Sequence, residues 1–377
     1  MDIAQTESEM AACVAGASGP VAIRGGGTRG LVLPGEVLTT SGLVGVQLYE
    51  PGALTLVASA GTPVAEIETL LAAENQQLAF EPMDHRALLG TSGAPTIGGV
   101  VAANVSGPRR IQAGACRDFM LGVRYVDGTG AVIKNGGRVM KNVTGYDLVR
   151  LMGGSWGTLG VLTQVSLKVL PRPQAQATLC VPDCDMAQAV KTMSVALGSP
   201  FEITGAAYVT DRAEVLLRIE GFSGSVAYRT GRLIDLLDRL GAVELRAEGA
   251  ASGAIWKAIR DVEAFAGQPG DVWRVSIKPS DAPLIAPRLK ADALLLDWGG
   301  GMIWARVPAG TDLRARIGQM SGHATLVRAD PETRARLGMF HPQPAPLATI
   351  SAGLRARFDP RGIFNTGLMD RHQPLGV

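Results

Sequence analysis

Residues 19–38 read "GPVAIRGGGTRGLVLPGEVL". Val21-Ala22-Ile23 is a short β run that feeds straight into glycine. Gly25-Gly26-Gly27-Thr28-Arg29-Gly30 satisfies the pattern G-x-G-x-x-G, and an acid, Glu50, follows about twenty residues on. A Rossmann dinucleotide site also needs a helix opening on the last glycine, its N-terminus toward the pyrophosphate. Pro34, Gly35, Gly42 and Gly45 leave no room for that helix, so the Rossmann reading fails. No G-x-x-x-x-G-K-[ST] occurs, which removes a P-loop. Two readings of the loop remain: a tight turn after a strand, or a nest of successive amides that holds an anion.

The loop has company. Residues 91–110, "TSGAPTIGGVVAANVSGPRR", carry no acid and no aromatic ring. Gly153-Gly154-Ser155-Trp156-Gly157-Thr158-Leu159-Gly160 forms a third cluster, and "IFNTG" closes the set near the C-terminus. Glycine makes up 48 of 377 residues, against a usual share of roughly 7%. With no collagen period and no flexible Gly/Ser tract, the excess points to positive φ or to close approach by something bulky.

The remaining composition sets bounds. The length predicts two domains. A formal net charge of +2 with interspersed signs argues against nucleic acid as the main partner. No run of about 18 apolar residues exists to predict a transmembrane segment, and the acidic start "MDIAQTESEM" is no secretory signal. Cys13, Cys116, Cys180 and Cys184 are scattered, which predicts reduced thiols and no four-thiolate iron–sulfur site.

Local patterns divide the chain. "LTLVASAGTP" predicts a strand, then Thr62 as N-cap and Pro63 at the first helical position. Val64, Ile67, Leu70 and Leu71 give that helix one buried face. Residues 121–135 read as two strands joined at Asp127-Gly128-Thr129-Gly130. Val161, Thr163, Val165, Leu167 and Val169 alternate on one strand face until Pro171-Arg172-Pro173 ends the pattern. Beyond lie helix-like segments at 185–197, 223–240 and 251–266. Strand-like segments at 203–209, 213–219, 272–278, 293–297 and 324–329 separate them, an antiparallel α+β pattern. The predicted division is residues 1–173, a second lobe over 174–349, and a return to the first domain over 350–377.

The ordered glycine clusters resemble the FAD domain of the vanillyl-alcohol oxidase/p-cresol methylhydroxylase (PCMH) superfamily over about 20–170 and again at 358–367. "GPRRIQAGACRDFMLG", "GGRVMKNVTGYDLVRLMGGSWGTLGVLTQVSLKVLPRP", "LLLDWGGG" and "FDPRGIFNTGLM" are more specific. They resemble the FAD-binding E subunits of bacterial glycolate oxidases across nearly the whole chain. The resemblance implies an α+β fold: a two-lobed PCMH-type FAD-binding domain with an α+β, ferredoxin-like cap lobe. It implies an FAD subunit of a glycolate oxidase or dehydrogenase complex, with a hydroxy-acid-oxidising flavoprotein and an iron–sulfur subunit as partners. Location would be cytoplasmic, or peripheral at the inner membrane through the complex. An autonomous FAD-dependent 2-hydroxy-acid oxidase and a redox-silent nucleotide-holding subunit are the alternatives.

By the same resemblance, Arg24, Gly25, Gly26, Gly27, Thr28, Arg29 and Gly30 would bracket the pyrophosphate with Thr96, Ile97, Gly98, Gly99 and Asn104. The thin segment's amides would face the cofactor, and a side chain at Gly98 or Gly99 would occupy its space. Gly114 and Asp118 would continue that wall, Gly160, Val161 and Leu162 would lie near adenine, and Asn365 near the flavin ring. Arg109 and Arg110 are further candidates to offset phosphate charge. The first glycine loop contains no histidine to tether flavin, so FAD is expected to be non-covalent.

Hydride removal from a 2-hydroxy acid needs a base for the hydroxyl proton and a cation for the carboxylate. The Gly-His-x-Gly-Asp-Gly-Asn-x-His cluster of related hydroxy-acid-oxidising subunits is absent. His85, His323, His341 and His372 are far apart in sequence and none has metal-ligand spacing. In "VWRVSIK" Trp273, Val275 and Ile277 share one face, and Arg274, Ser276 and Lys278 the other. Arg274 and Lys278 are therefore candidate carboxylate anchors, against the alternative of a solvated strand face. Tyr146 and Asp147 are weaker acid/base candidates, better read as structural.

Overall fold

A computed structural model describes residues 3–139 and 145–369. The chain forms two compact units: Met1–Ser106, Ala115–Arg172 and Pro342–Val377 in the first, Gly107–Gly114 and Pro173–His341 in the second. The proline boundary falls at Arg172/Pro173. The return to the first unit comes at Pro342, before the expected residue 350, which lies inside a helix, Ala345–Phe358. Gly107–Gly114 also leaves the first unit. The Trp298 indole donates to Gly107 O at 3.1 Å, and Arg109 pairs with Glu220 at 2.9 Å.

In the first unit, strand Val21–Arg24 pairs in parallel with Glu36–Thr39. A five-stranded antiparallel sheet runs Val46–Glu50, Thr55–Ser59, Val161–Lys168, Met120–Val126, Val132–Gly136. Val161–Lys168 is its central strand, so Leu162 and Ser166 are buried along with Val161, Thr163, Val165 and Leu167. Both faces are therefore covered, not the one that alternation suggests. Thr62 does not cap the helix Val64–Ala73; Pro63 holds the N-cap position. The Thr62 hydroxyl instead takes the Gly45 amide at 3.0 Å and donates to Gly45 O at 3.1 Å.

In the second unit, Ala175–Val181, Met186–Leu197, Ile203–Val209, Glu214–Gly221, Ser223–Leu237 and Glu244–Glu248 form a β-α-β-β-α-β set. Asp271–Ile277, Ala282–Leu289, Ala293–Asp297, Met302–Val307, Leu313–Ile317 and Gly322–Arg328 form another. Each follows the ferredoxin-like order. They join edge to edge where Tyr208 pairs with Leu296 and Val209 with Leu295, which gives one eight-stranded sheet. The expected α+β pattern thus holds as a duplicated motif. Strands Ala175–Val181, Glu244–Glu248 and Met302–Val307 were not anticipated. Glu244–Glu248 is an edge strand with mostly exposed residues, so it lacks the alternation that reveals a half-buried strand.

Helix Glu7–Gly16 is tied to the five-stranded sheet by a charge. Glu7 accepts from Arg124 of one strand and from Thr163 Oγ1 of another, the latter at 2.6 Å. Burial works against the carboxylate, but the hydrogen bonds from Arg124 and Thr163 and the Arg124 charge outweigh it and hold the Glu7 carboxyl below its ordinary range. A depressed carboxyl stabilises the fold above its unfolded pKa, and that gain disappears as pH falls through the folded value. Glu7→Gln should therefore cost about 1 kcal/mol at neutral pH, a discounted figure for a partly exposed pair. Melting curves should show the penalty shrinking toward acid pH; a penalty independent of pH would break the assignment.

Candidate functional site

Two glycine loops of the first unit press backbone against backbone. A Cβ on Gly26 would lie 1.6 Å from Ala94 O, one on Gly93 2.4 Å from Gly26 O, and one on Gly25 2.5 Å from Thr96 Oγ1. Thr91 Oγ1 donates to Thr28 O at 2.7 Å. The second loop then turns into a short helix, Ile97–Ala102, with Thr96 at its N-cap. Gly98 is glycine because a Cβ there would sit 2.7 Å from both Ala60 Cβ and Ala60 O.

This corrects one expectation. The thin segment does not offer its first amides to a ligand: Ile97 N donates to Thr62 O at 3.0 Å and Gly98 N to Ala60 O at 2.8 Å. The side chain that Gly98 excludes would meet protein. The free donors are in the first loop. Among the described residues, the amides of Gly26, Gly27 and Thr28 find no protein acceptor. Successive unpaired amides of this kind form an anion nest.

The interlocked loops wall a cavity with an empty volume of ≈ 1260 Å³, its open mouth included. Arg24, Gly25, Gly26, Gly27, Thr28, Arg29, Thr96, Gly98, Gly99, Gly160, Leu162 and Asn365 line it. Six other candidates do not. Gly30 ends the loop in a left-handed turn, φ 58°. Ile97 and Val161 are buried in the core. Asn104 accepts the Arg117 amide at 2.9 Å, and Asp118 the Ala115 amide at 2.9 Å. Gly114 belongs to the second unit.

Asn365 frames the cavity with its whole amide committed to protein. Its Oδ1 accepts from Ile23 N at 2.7 Å and its Nδ2 donates to Trp156 O at 2.7 Å. At φ 42° it uses the left-handed region, which asparagine tolerates better than most residues. The returning tail thereby ties the first strand to the third glycine cluster. Among the wall residues that sequence reasoning did not single out are two with polar or aromatic side chains, His85 and Trp156. The Arg29 guanidinium stacks 5.1 Å from the Trp156 ring centroid and lies 3.3 Å from His85 Nε2. His85 gave no signal in the sequence; Trp156 is the one large side chain among those glycines.

The cavity lining joins the Gly26, Gly27 and Thr28 backbone, Arg24 and Arg29 to the apolar side chains of Leu31, Val32, Leu33 and Val37, a set suited to an anion that also carries apolar parts. Arg109 and Arg110 belong to the second unit: Arg109 is held by Glu220, and Arg110 stacks 4.5 Å from the Trp298 ring centroid.

The second unit has a cationic cluster of its own. Trp273, Val275 and Ile277 are buried on one face of their strand, and Arg274 and Ser276 are half-buried on the other. In register, Arg274 is flanked by Trp304 and Thr325, and Ser276 by Met302 and His323. Among the described residues the Arg274 guanidinium has neither an acid nor a hydrogen-bond partner. Burial, then the Arg110 charge, pushes its guanidinium down to about 10, still charged at neutral pH. Burial, then Arg274, His341 and Arg110, lowers the His323 pKa. Lys278 does not join them; it is exposed beyond the strand end. Tyr146 is exposed, and Asp147 caps the helix Leu148–Met152 through the Arg150 amide at 3.0 Å. His372 lies outside the described residues. No group of three or more potential metal ligands occurs among the described residues.

Two outcomes test these arrangements. Gly26→Ala should abolish nucleotide retention and lower the melting temperature, since overpacking costs ~1–3 kcal/mol and Ala94 O must move. Gly52→Ala, with open space around it, is the control and should change neither. Arg274→Met should raise the His323 pKa, read by imidazole NMR titration; an unmoved titration would separate the two residues.

The FAD binding domain family matches residues 2–136. The glycolate oxidase subunit GlcE of Escherichia coli K12 is 36% identical over 355 residues, covering 93% of this chain and 92% of that protein. The glycolate oxidase subunit GlcD of Bacillus subtilis is 34% identical over 165 residues, covering 42% of this chain and 34% of that protein. Among solved structures, alkyldihydroxyacetonephosphate synthase superposes with a TM-score of 0.68 at 15% identity, covering 96% of this chain and 75% of that one. The cavity with its amide nest and the similarity running through both units lead to one assignment: this chain is an FAD-binding flavoprotein and belongs to the GlcE family of glycolate oxidase subunits.

Proposed function

We propose that this chain is the FAD-carrying subunit of a complex that oxidises glycolate to glyoxylate. In it the chain relays electrons between a hydroxy-acid-oxidising flavoprotein and an iron–sulfur subunit. The observation that carries the reading is the basic, glycine-walled cavity in a chain similar along 93% of its length to a GlcE subunit. Gly26, Gly27 and Thr28 would hold the pyrophosphate through their amides, with Arg24 and Arg29 offsetting its charge. The Arg29–Trp156 stack and the Asn365 ties would keep the wall rigid. FAD, when bound, supplies a two-electron acceptor that also passes single electrons. It is held non-covalently, since neither His85 nor any other histidine belongs to the first glycine loop.

One observation favours a second reading, autonomous oxidation of a 2-hydroxy acid. Arg274, unpaired and beside Arg110, is suited to a carboxylate. His323, its pKa lowered, is neutral at neutral pH and retains a lone pair for a hydroxyl proton.

Anaerobic mixing separates the readings. The isolated subunit's flavin should bleach with dithionite but not with glycolate, and turnover should appear once the partner subunits are co-expressed. Rapid bleaching by glycolate alone would overturn the relay role. Arg274→Met extends the test. Under the relay reading KM for glycolate in the complex is unchanged, whereas direct substrate binding predicts a rise of about tenfold or more, the worth of a charged hydrogen bond. Acid precipitation should leave the flavin in the supernatant; flavin in the pellet would refute non-covalent binding.

A further inference from the structure

The Arg29 guanidinium is held by protein on three sides. It lies 5.1 Å from the Trp156 ring centroid, 3.3 Å from His85 Nε2 and 3.5 Å from Gly99 O. All four residues line the cavity. The contacts of His85 fix its protonation. Nδ1 lies 3.2 Å from Met83 O, and a carbonyl oxygen only accepts, so Nδ1 carries the proton. A guanidinium nitrogen only donates, so Nε2 meets Arg29 with its lone pair. Together the two contacts require a neutral imidazole, the bond at one ring nitrogen setting what the other can do. The loop around His85 has braces of its own. Asp84 accepts the Arg86 amide at 3.0 Å and the Arg86 guanidinium at 2.7 Å, and Arg86 Nη1 donates to Gly93 O at 3.0 Å. The short helix Arg86–Leu89 closes on Gly90 at φ 63°. None of these bonds uses the imidazole, which reaches across 56 residues of chain to Arg29.

We infer that His85 is a positioning residue of the cofactor site: its Nε2 lone pair holds Arg29 against Trp156, oriented for the phosphates of FAD. The inference rests on the reading that this cavity takes FAD. An arginine side chain gives up many rotamers when a ligand orders it. One that protein already orders gives up fewer, so more of each hydrogen bond it makes remains as affinity. His85 acts through Arg29 and donates nothing to the cofactor, because its one N–H is spent on Met83 O.

The test measures the FAD affinity of the whole chain from the fluorescence of flavin released when the holo-protein is diluted. Arg29→Met should weaken binding about tenfold or more, the worth of a charged hydrogen bond. His85→Leu should weaken it about fivefold, the worth of one ordinary hydrogen bond, and should keep the parent's melting temperature. In the Arg29→Met background the same change should cost nothing further. His85→Gln, which can return an acceptor to Arg29, should recover most of the loss. Nitrogen NMR of histidine-labelled parent protein should show the His85 proton on Nδ1, the resonance being the one that His85→Gln removes. If His85→Leu fails to fold, His85→Ala closes the same cycle. Equal losses with and without Arg29 overturn the proposal, since the imidazole would then act on its own. So does an undiminished affinity in Arg29→Met or His85→Leu, a loss that His85→Gln leaves in place, or a proton found on Nε2 alone. A parent chain that takes up no FAD refutes the reading beneath the proposal, and the proposal with it, before any variant is compared.

Discussion

The first unit depends on one steric constraint, the absence of side chains where its two glycine loops meet. Gly26 lies so close to Ala94 O, and Gly93 to Gly26 O, that a single Cβ on either glycine would displace a carbonyl. The meeting fixes the first strand relative to the short helix Ile97–Ala102, and so sets the width of the cavity. Glycine at such positions loses more conformational freedom on folding than any other residue. That cost is offset by what closes around the loops. Thr91 fastens one to the other, and Asn365 brings the end of the chain back to lock the first strand to the third cluster.

The interlock also explains the division of labour between the loops. Ile97 and Gly98 sit so deep between Thr62 and Ala60 that their amides are consumed by the protein. The outer loop, fastened by Thr91, leaves successive amides without protein acceptors. Gly27 is exposed and Gly26 and Thr28 are half-buried, so these amides stay open to water or to an anion that replaces it.

Buried charge in the second unit shows the same contrast between structural and exposed demand. Glu220 lies between Arg109 and Arg218, at 2.9 and 3.3 Å, and Arg218 stacks on Trp256. Removing one member of such a set would strand a charge in low dielectric. Arg274 has no such compensation and faces Arg110 and His323 instead. Structural ion pairs neutralise, whereas Arg274, half-buried beside a second arginine, keeps its charge uncompensated.

Much of this was legible in the sequence, where the physics is local. Proline at 34 and glycine at 35 ruled out a Rossmann helix after the first loop, prolines 171 and 173 marked the unit boundary, and alternation in "VWRVSIK" put Arg274 opposite Trp273. What escaped depended on partners remote in the chain. Thr62 carries the chemistry of an N-cap, yet Gly45 engages its hydroxyl. Gly98 looks like room for a ligand, but its missing side chain makes room for Ala60. Arg109 looks like a phosphate ligand until Glu220, more than a hundred residues away, appears beside it. The residues alone determined where the backbone must bend, where it must stop, and which stretches could lie close to something large. Only the tertiary structure decided what that something is at each glycine and which polar groups remain unsatisfied, because both depend on distances between segments that no local pattern encodes.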